Sequence, residues 1–185
     1  MGGEVIDISR KKGVNQMMTK IEWEDGIYEG ETRNQVPHGQ GTLTWYSGDC
    51  YKGEFQFGFM QGQGRYEWED GSVYVGEFRD DACCGRGVKT WPDGSRYEGE
   101  WKDGVRQGQG IQTWPGKYRY EGEFHNDKFN GKGTYFWPDG AKDSGDWVDG
   151  KLAHCTSPLV CRSYIPAMHV KYFRSTEMMG IPKKK

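Results

Sequence analysis

The chain has 185 residues, of which 34% are apolar, 28% charged and 15% aromatic, with 29 glycines. That is too aromatic for a disordered chain, yet too polar and glycine-rich for a conventional compact core. Mean hydropathy is −0.94, no stretch approaches the roughly 18 apolar residues of a membrane span, and residues 1–20 lack the apolar centre of a secretory signal. The charge is unevenly divided. Residues 1–27 hold 4 basic and 5 acidic residues, 28–150 hold 14 and 21 for a net of −7, and 151–185 hold 7 and 1 for a net of +6. An acidic body argues against nucleic acid as the partner, because phosphate contacts need Lys and Arg.

In chain order, residues 1–20 form an N-terminal extension without repeat character. Residues 21–27 (Ile21-Glu22-Trp23-Glu24-Asp25-Gly26 and Ile27) read as the second half of a unit that then recurs every 23 residues. Tyrosine marks the start of each copy, at Tyr28, Tyr51, Tyr74, Tyr97 and Tyr120. Gly30, Gly53, Gly76, Gly99 and Gly122 follow, each with a glutamate next to it. A Gly-x-Gly pair comes next (Gly39/Gly41 in the first copy, Gly131/Gly133 in the last), and a tryptophan closes each copy, from Trp45 to Trp137. The full units are 28–50, 51–73, 74–96, 97–119 and 120–142, with a partial unit at 143–150 where Asp143 replaces the tyrosine and Asp146 the glutamate. Partial units at both ends suit a stacked array that must cap itself.

Each unit reads as a β-hairpin. Period-two alternation in Tyr97-Glu98-Gly99-Glu100-Trp101 puts Tyr97, Gly99 and Trp101 on one face and both glutamates on the other. Lys102-Asp103-Gly104 supplies the turn, and Asp70-Gly71, Asp93-Gly94 and Asp139-Gly140 lead into the next hairpin. Glycine weakens a strand, so its pairing with large rings at a fixed offset predicts a ring lying over the backbone. The fold class is therefore all-β: an elongated single-layer array of antiparallel hairpins, about twelve strands in all, with a mixed non-repeat C-terminal tail at 151–185.

Units such as Tyr97-Glu98-Gly99-Glu100-Trp101-Lys102-Asp103-Gly104 followed by Gly108-Gln109-Gly110 resemble MORN repeats (membrane occupation and recognition nexus). Departures are Thr32 in place of Phe or Trp, Cys83-Cys84 before Gly85, and Pro115-Gly116-Lys117 in place of the Asp-Gly turn. The resemblance implies a non-enzymatic scaffold with an aromatic and glycine-lined groove. It also implies a place in protein assemblies, cytoskeletal junctions or ciliary structures such as axonemal radial spokes, and an older view assigns such repeats phospholipid binding.

A single-layer sheet cannot cover all its rings, which makes them candidates for contact with a partner segment, a helix or extended peptide laid along several units. In the second and third units these are Tyr51, Phe55, Trp68, Tyr74, Phe78 and Trp91. In the fourth and fifth they are Tyr97, Trp101, Trp114, Tyr120, Phe124 and Trp137. The net charge of the body predicts a basic segment. The bland reading, that these rings are simply the core of a thin sheet, is compatible with this role.

Other chemistry is weakly represented. His38, His125, His154 and His169 do not recur with the repeat, and no nucleophile motif is present, so the chain is not expected to be an enzyme or to hold a cofactor. Each Gly-x-Gly leads into a strand rather than the helix a phosphate loop requires. His154, Cys155, Cys161 and His169 lack the close Cys-x-x-Cys hook of a zinc site, and no metal is expected. Five cysteines without regular spacing and no Asn-x-Ser/Thr site predict reduced thiols in a cytosolic setting, within the cytoskeleton, cilium or flagellar axoneme if the resemblance holds.

The tail is too apolar for a free linker and is expected to cap the last hairpin and dock on a neighbour. Its Lys171, Arg174, Lys183, Lys184 and Lys185 are the residues offered to an anionic surface. The alternative function is accordingly a cytoskeleton-to-membrane tether, a weak one without an acyl chain.

Overall fold

A computed structural model of the chain describes residues 5–7 and 18–156, which contain strands and turns and no helix. The chain divides after Ala82 into two compact units. The first holds β1 (Val5–Asp7), β2 (Met18–Trp23), β3 (Gly26–Arg33), β4 (Val36–Trp45), β5 (Cys50–Gln56), β6 (Phe59–Glu67) and β7 (Val73–Arg79). In the second lie β8 (Ala82–Thr90, entered at Ala82), β9 (Arg96–Lys102), β10 (Val105–Trp114), β11 (Tyr118–His125), β12 (Lys128–Phe136), β13 (Lys142–Val148) and β14 (Lys151–Cys155). Within each unit the strands pair antiparallel in chain order, as consecutive hairpins in a single layer. Strand β1 falls in the stretch read as an N-terminal extension and β14 in the stretch read as the tail, so the described residues carry two strands more than the repeat pattern predicts.

The register explains the glycine pattern. In the first unit Gly30 lies opposite Gly41, Gly41 opposite Gly53, Gly53 opposite Gly64 and Gly64 opposite Gly76. A second row in the other unit runs through Gly87, Gly99, Gly110, Gly122, Gly133 and Gly145. Each row runs across the strands, leaving a trough without side chains in the middle of the sheet.

Two kinds of connection alternate. Inside a repeat, two residues at positive φ close a tight hairpin, as at Asp103 (50°) and Gly104 (80°), the twist that suits right-handed strands. Between repeats, a tryptophan begins a wider loop: the Trp68 amide donates to the Ser72 carbonyl and the Trp91 amide to that of Ser95, both at 2.9 Å. Asp70 and Asp93 brace these loops by accepting from the Ser72 and Ser95 amides. Successive hairpin tips are tied together as well, the Gly58 amide to the Pro37 carbonyl and the Gly104 amide to that of Cys83, at 3.0 Å each.

Candidate partner-binding face

The recurring tyrosine lies flat in the glycine trough. Tyr51 is fully buried, and a methyl group built on either Gly53 or Gly64 would come within 2.5 Å of its hydroxyl oxygen. Tyr28 and Tyr97 relate to Gly30/Gly41 and Gly99/Gly110 in the same way. Any residue larger than glycine would lift the ring off the sheet. Each hydroxyl donates to the carbonyl three residues on: Tyr51 to Glu54 at 2.9 Å, Tyr74 to Glu77 at 3.1 Å, Tyr97 to Glu100 at 3.0 Å, Tyr120 to Glu123 at 3.1 Å, and Tyr28 to Glu31. The predicted ring over the backbone is therefore present, with its one polar atom satisfied.

The glutamate beside the trough also has a local task. Pairing inside a repeat is interrupted by a bulge, as between Gly53 and Glu54 on the β5–β6 ladder, which leaves an amide without a strand partner. Glu54 accepts from the Gln63 amide at 3.0 Å, Glu100 from Gln109 at 3.2 Å and Glu123 from Lys132 at 2.8 Å. The first glycine of each Gly-x-Gly pair sits beneath that carboxylate at positive φ (57° at Gly62, 71° at Gly108). Alternation alone assigns these glutamates to solvent. The signal that could have found them is the constant spacing of eight residues from glutamate to the Gly-x-Gly, as from Glu54 to Gly62.

Within each unit, the phenylalanine four residues after a repeat tyrosine wedges between that tyrosine and the one before it. Phe55 meets Tyr28 and Tyr51 edge-on, both at 5.1 Å, and Phe78 meets Tyr51 at 4.9 Å and Tyr74 at 5.1 Å. Phe124 does the same between Tyr97 (4.9 Å) and Tyr120 (5.3 Å). Such edge-to-face pairs are each worth about 0.5–1.5 kcal/mol beyond burial. A second file of rings runs through the closing tryptophans, with Trp45 against Tyr66 at 5.5 Å and Trp114 against Tyr135 at 6.0 Å.

This interlocking corrects the expectation of half-bare rings. Of the twelve positions singled out, Tyr51, Phe55, Tyr74, Phe78 and Tyr97 are buried, as are Trp101, Trp114, Tyr120, Phe124 and Trp137. Only Trp68 and Trp91 remain half-buried. The face is first of all a core.

In the second unit that core becomes polar. Arg106 occupies the place in its repeat that Met60 holds two repeats earlier, and it is 2% exposed. Its Nε donates to Asp127 Oδ1 at 3.0 Å, one terminal nitrogen to Gln112 Oε1 at 2.8 Å and the other to the Asp127 carbonyl at 2.8 Å. The guanidinium carbon lies 5.5 Å from the centres of both the Tyr97 and Phe124 rings. Lys89 is also buried, with Nζ 5.6 Å from the Trp91 ring. Burial pushes the Arg106 pKa down while Asp127 holds it up. Desolvation likewise raises the phenols of Tyr28, Tyr97, Tyr120 and Tyr135 well above the usual value near 10.

Of the remaining candidates, His154 and Cys155 end β14, whereas Cys161 and His169 lie outside the described residues, as do Lys171, Arg174, Lys183, Lys184 and Lys185. Cys155 is disulfide-bonded, against the expectation of reduced thiols; Cys50, Cys83 and Cys84 are free of disulfides. Among the described residues no helix is long and apolar enough to cross a membrane.

The MORN repeat family model matches residues 28–50, 51–73, 74–96, 97–117 and 120–142. No curated protein matches the chain.

Proposed function

Because this chain belongs to the MORN repeat family, a protein- or membrane-binding repeat and in general a non-enzymatic scaffold, we propose that it is an adaptor in a large protein assembly. We place that assembly in the cilium or flagellum, as a radial-spoke-like component of the axoneme in the cytoplasmic cytoskeleton. The axonemal setting rests on what such repeats do elsewhere. The adaptor role rests on one observation: the other ten ring positions are buried in building the sheet, while Trp68 and Trp91 stay half-buried in their respective units. Large amphipathic rings of this kind dominate binding energy at protein interfaces. A helix or extended peptide laid against either ring is the expected ligand.

Capture from a ciliated-cell extract tests the reading. The wild-type chain should retain an axonemal protein, and Trp68→Ala with Trp91→Ala should lose it while circular dichroism stays unchanged. Retention of no axonemal protein by the wild type would sink the ciliary assignment, and capture unaffected by the two tryptophan substitutions would sink the adaptor reading.

The second reading, a cytoskeleton-to-membrane tether, is favoured by the net charge of +6 in residues 151–185. Polybasic segments gain about 1 kcal/mol per cation at an anionic surface. Flotation with phosphatidylserine vesicles should then depend on Lys183, Lys184 and Lys185, and indifference to their replacement would dismiss it.

A further inference from the structure

Six tight hairpin turns of the described residues, spaced by the repeat, share one geometry, with both central residues at positive φ: Asn34-Gln35, Phe57-Gly58, Asp80-Asp81, Asp103-Gly104, Asn126-Asp127 and Asp149-Gly150. Five of them begin with Asn or Asp, the residues that tolerate this region best. The exception is Phe57, at φ 52°. A bulky ring is strained there, and it gains no burial in return, since Phe57 is 66% exposed and Phe59, two residues on, is 45% exposed. The ring is nevertheless held in place. Its edge meets the His38 imidazole at 5.7 Å, and Val36 closes against Gly58.

We propose that this tip is the anchor for a basic, apolar segment of a partner protein. The proposal rests on the adaptor reading and names the chemistry of its ligand. Charge carries the choice. Residues 18–82 hold 5 basic and 13 acidic residues, a net of −8, whereas residues 83–156 hold 11 of each. The acidity of the array is concentrated in the unit that bears Phe57. Within three residues of the turns at 34–35, 57–58 and 80–81 the basic residues are Arg33 and Arg79 and the acidic ones Glu31, Glu54, Glu77, Asp80 and Asp81. Three of these carboxylates are fixed in position, Asp80 by Gln61 Nε2 at 2.6 Å, Asp81 by the Met60 amide at 2.8 Å and Glu54 by the Gln63 amide at 3.0 Å. Among the described residues, Met18, Tyr46 and Val75 of the same unit are also large and exposed. An acidic ligand would be repelled; a lysine- or arginine-rich segment with one or two large apolar side chains satisfies both the field and the rings.

Fluorescence anisotropy with a labelled lysine- and leucine-rich peptide, compared with its leucine-to-serine counterpart, tests this on the full chain. Phe57→Asn is the informative variant, because it should move two quantities in opposite directions. The melting temperature should rise by about 3 °C as the turn relaxes. Affinity for the leucine peptide should fall about tenfold, to the level of the serine peptide, and Phe59→Ser should do the same. Unchanged affinity in both variants overturns the proposal, as does a wild type that does not prefer the leucine peptide. Binding that appears only after residues 157–185 are removed also overturns it, by making the occupant the chain's own tail. These outcomes leave the adaptor reading standing, since that falls only with the capture experiment on Trp68 and Trp91.

Discussion

At the scale of single residues, three side-chain roles account for most of each repeat. A tyrosine needs a floor without Cβ atoms, two glycines provide it, and a glutamate repairs the bulge that the second strand makes around the tyrosine. Removing the repair should be felt. Glu54→Ala leaves the exposed Gln63 amide to water in place of its acceptor, a loss of about 0.5–1 kcal/mol. Glu54→Gln keeps an acceptor oxygen and should cost less. Urea midpoints of the two variants check the order.

The tyrosine–glycine relation is legible from the sequence, because glycine weakens the strand that carries it and its fixed offset from a ring points to the ring as the reason. The glutamate's task is not, since a carboxylate on the outward side of an alternating strand looks solvated until the bulge is seen. Phe57 could have been found from the period, since it stands where the other copies have Asn34, Asp80, Asp103, Asn126 and Asp149; its strain and exposure are seen only in the structure.

At the scale of elements, hairpins stack by wedging the ring of one repeat between the tyrosines of two. That packing is the part the period of 23 could not disclose, because alternation assigns a face but not how neighbouring hairpins close over it. The buried Arg106–Asp127 pair belongs to the same level, joining residues 21 apart on successive hairpins. Removing one partner of a buried pair strands the other, which typically costs about 3–5 kcal/mol, but after Arg106→Met the Asp127 carboxylate keeps the residue-106 amide as its donor, as Asp81 keeps the Met60 amide. Asp127→Ala should therefore destabilise the chain strongly and Arg106→Met little, an asymmetry visible in urea unfolding.

The stacked tyrosines also set an alkaline limit. Their pKa values are raised in the folded state, so the unfolded chain loses its phenolic protons first as pH climbs. Stability is fully present below about pH 10, the unfolded value, and declines as pH rises from there towards the higher folded values. Thermal unfolding followed between pH 8 and roughly 11 should show a flat plateau and then a fall. A melting temperature that rises above about pH 10 would contradict the burial of these phenols.

For the molecule as a whole, the consequence is a division of labour. Most of what recurs makes the sheet; a partner is left with the two closing tryptophans that stay half-buried, Trp68 and Trp91, and with Phe57, which departs from the recurrence. Family, fold class and the hairpin order follow from the repeat, whereas β1 and β14 lie beyond it because neither carries its glycines. Both units depend on one local device, a ring bedded on paired glycines. A double-mutant cycle in each unit tests it most directly, with Tyr51→Ala and Gly64→Ala in the first and Tyr97→Ala and Gly110→Ala in the second. Each glycine substitution should cost about 2–3 kcal/mol when the tyrosine is present and little when it is gone, giving a coupling of at least about 1 kcal/mol. Additive losses in either unit would mean that the glycines are not there for the ring.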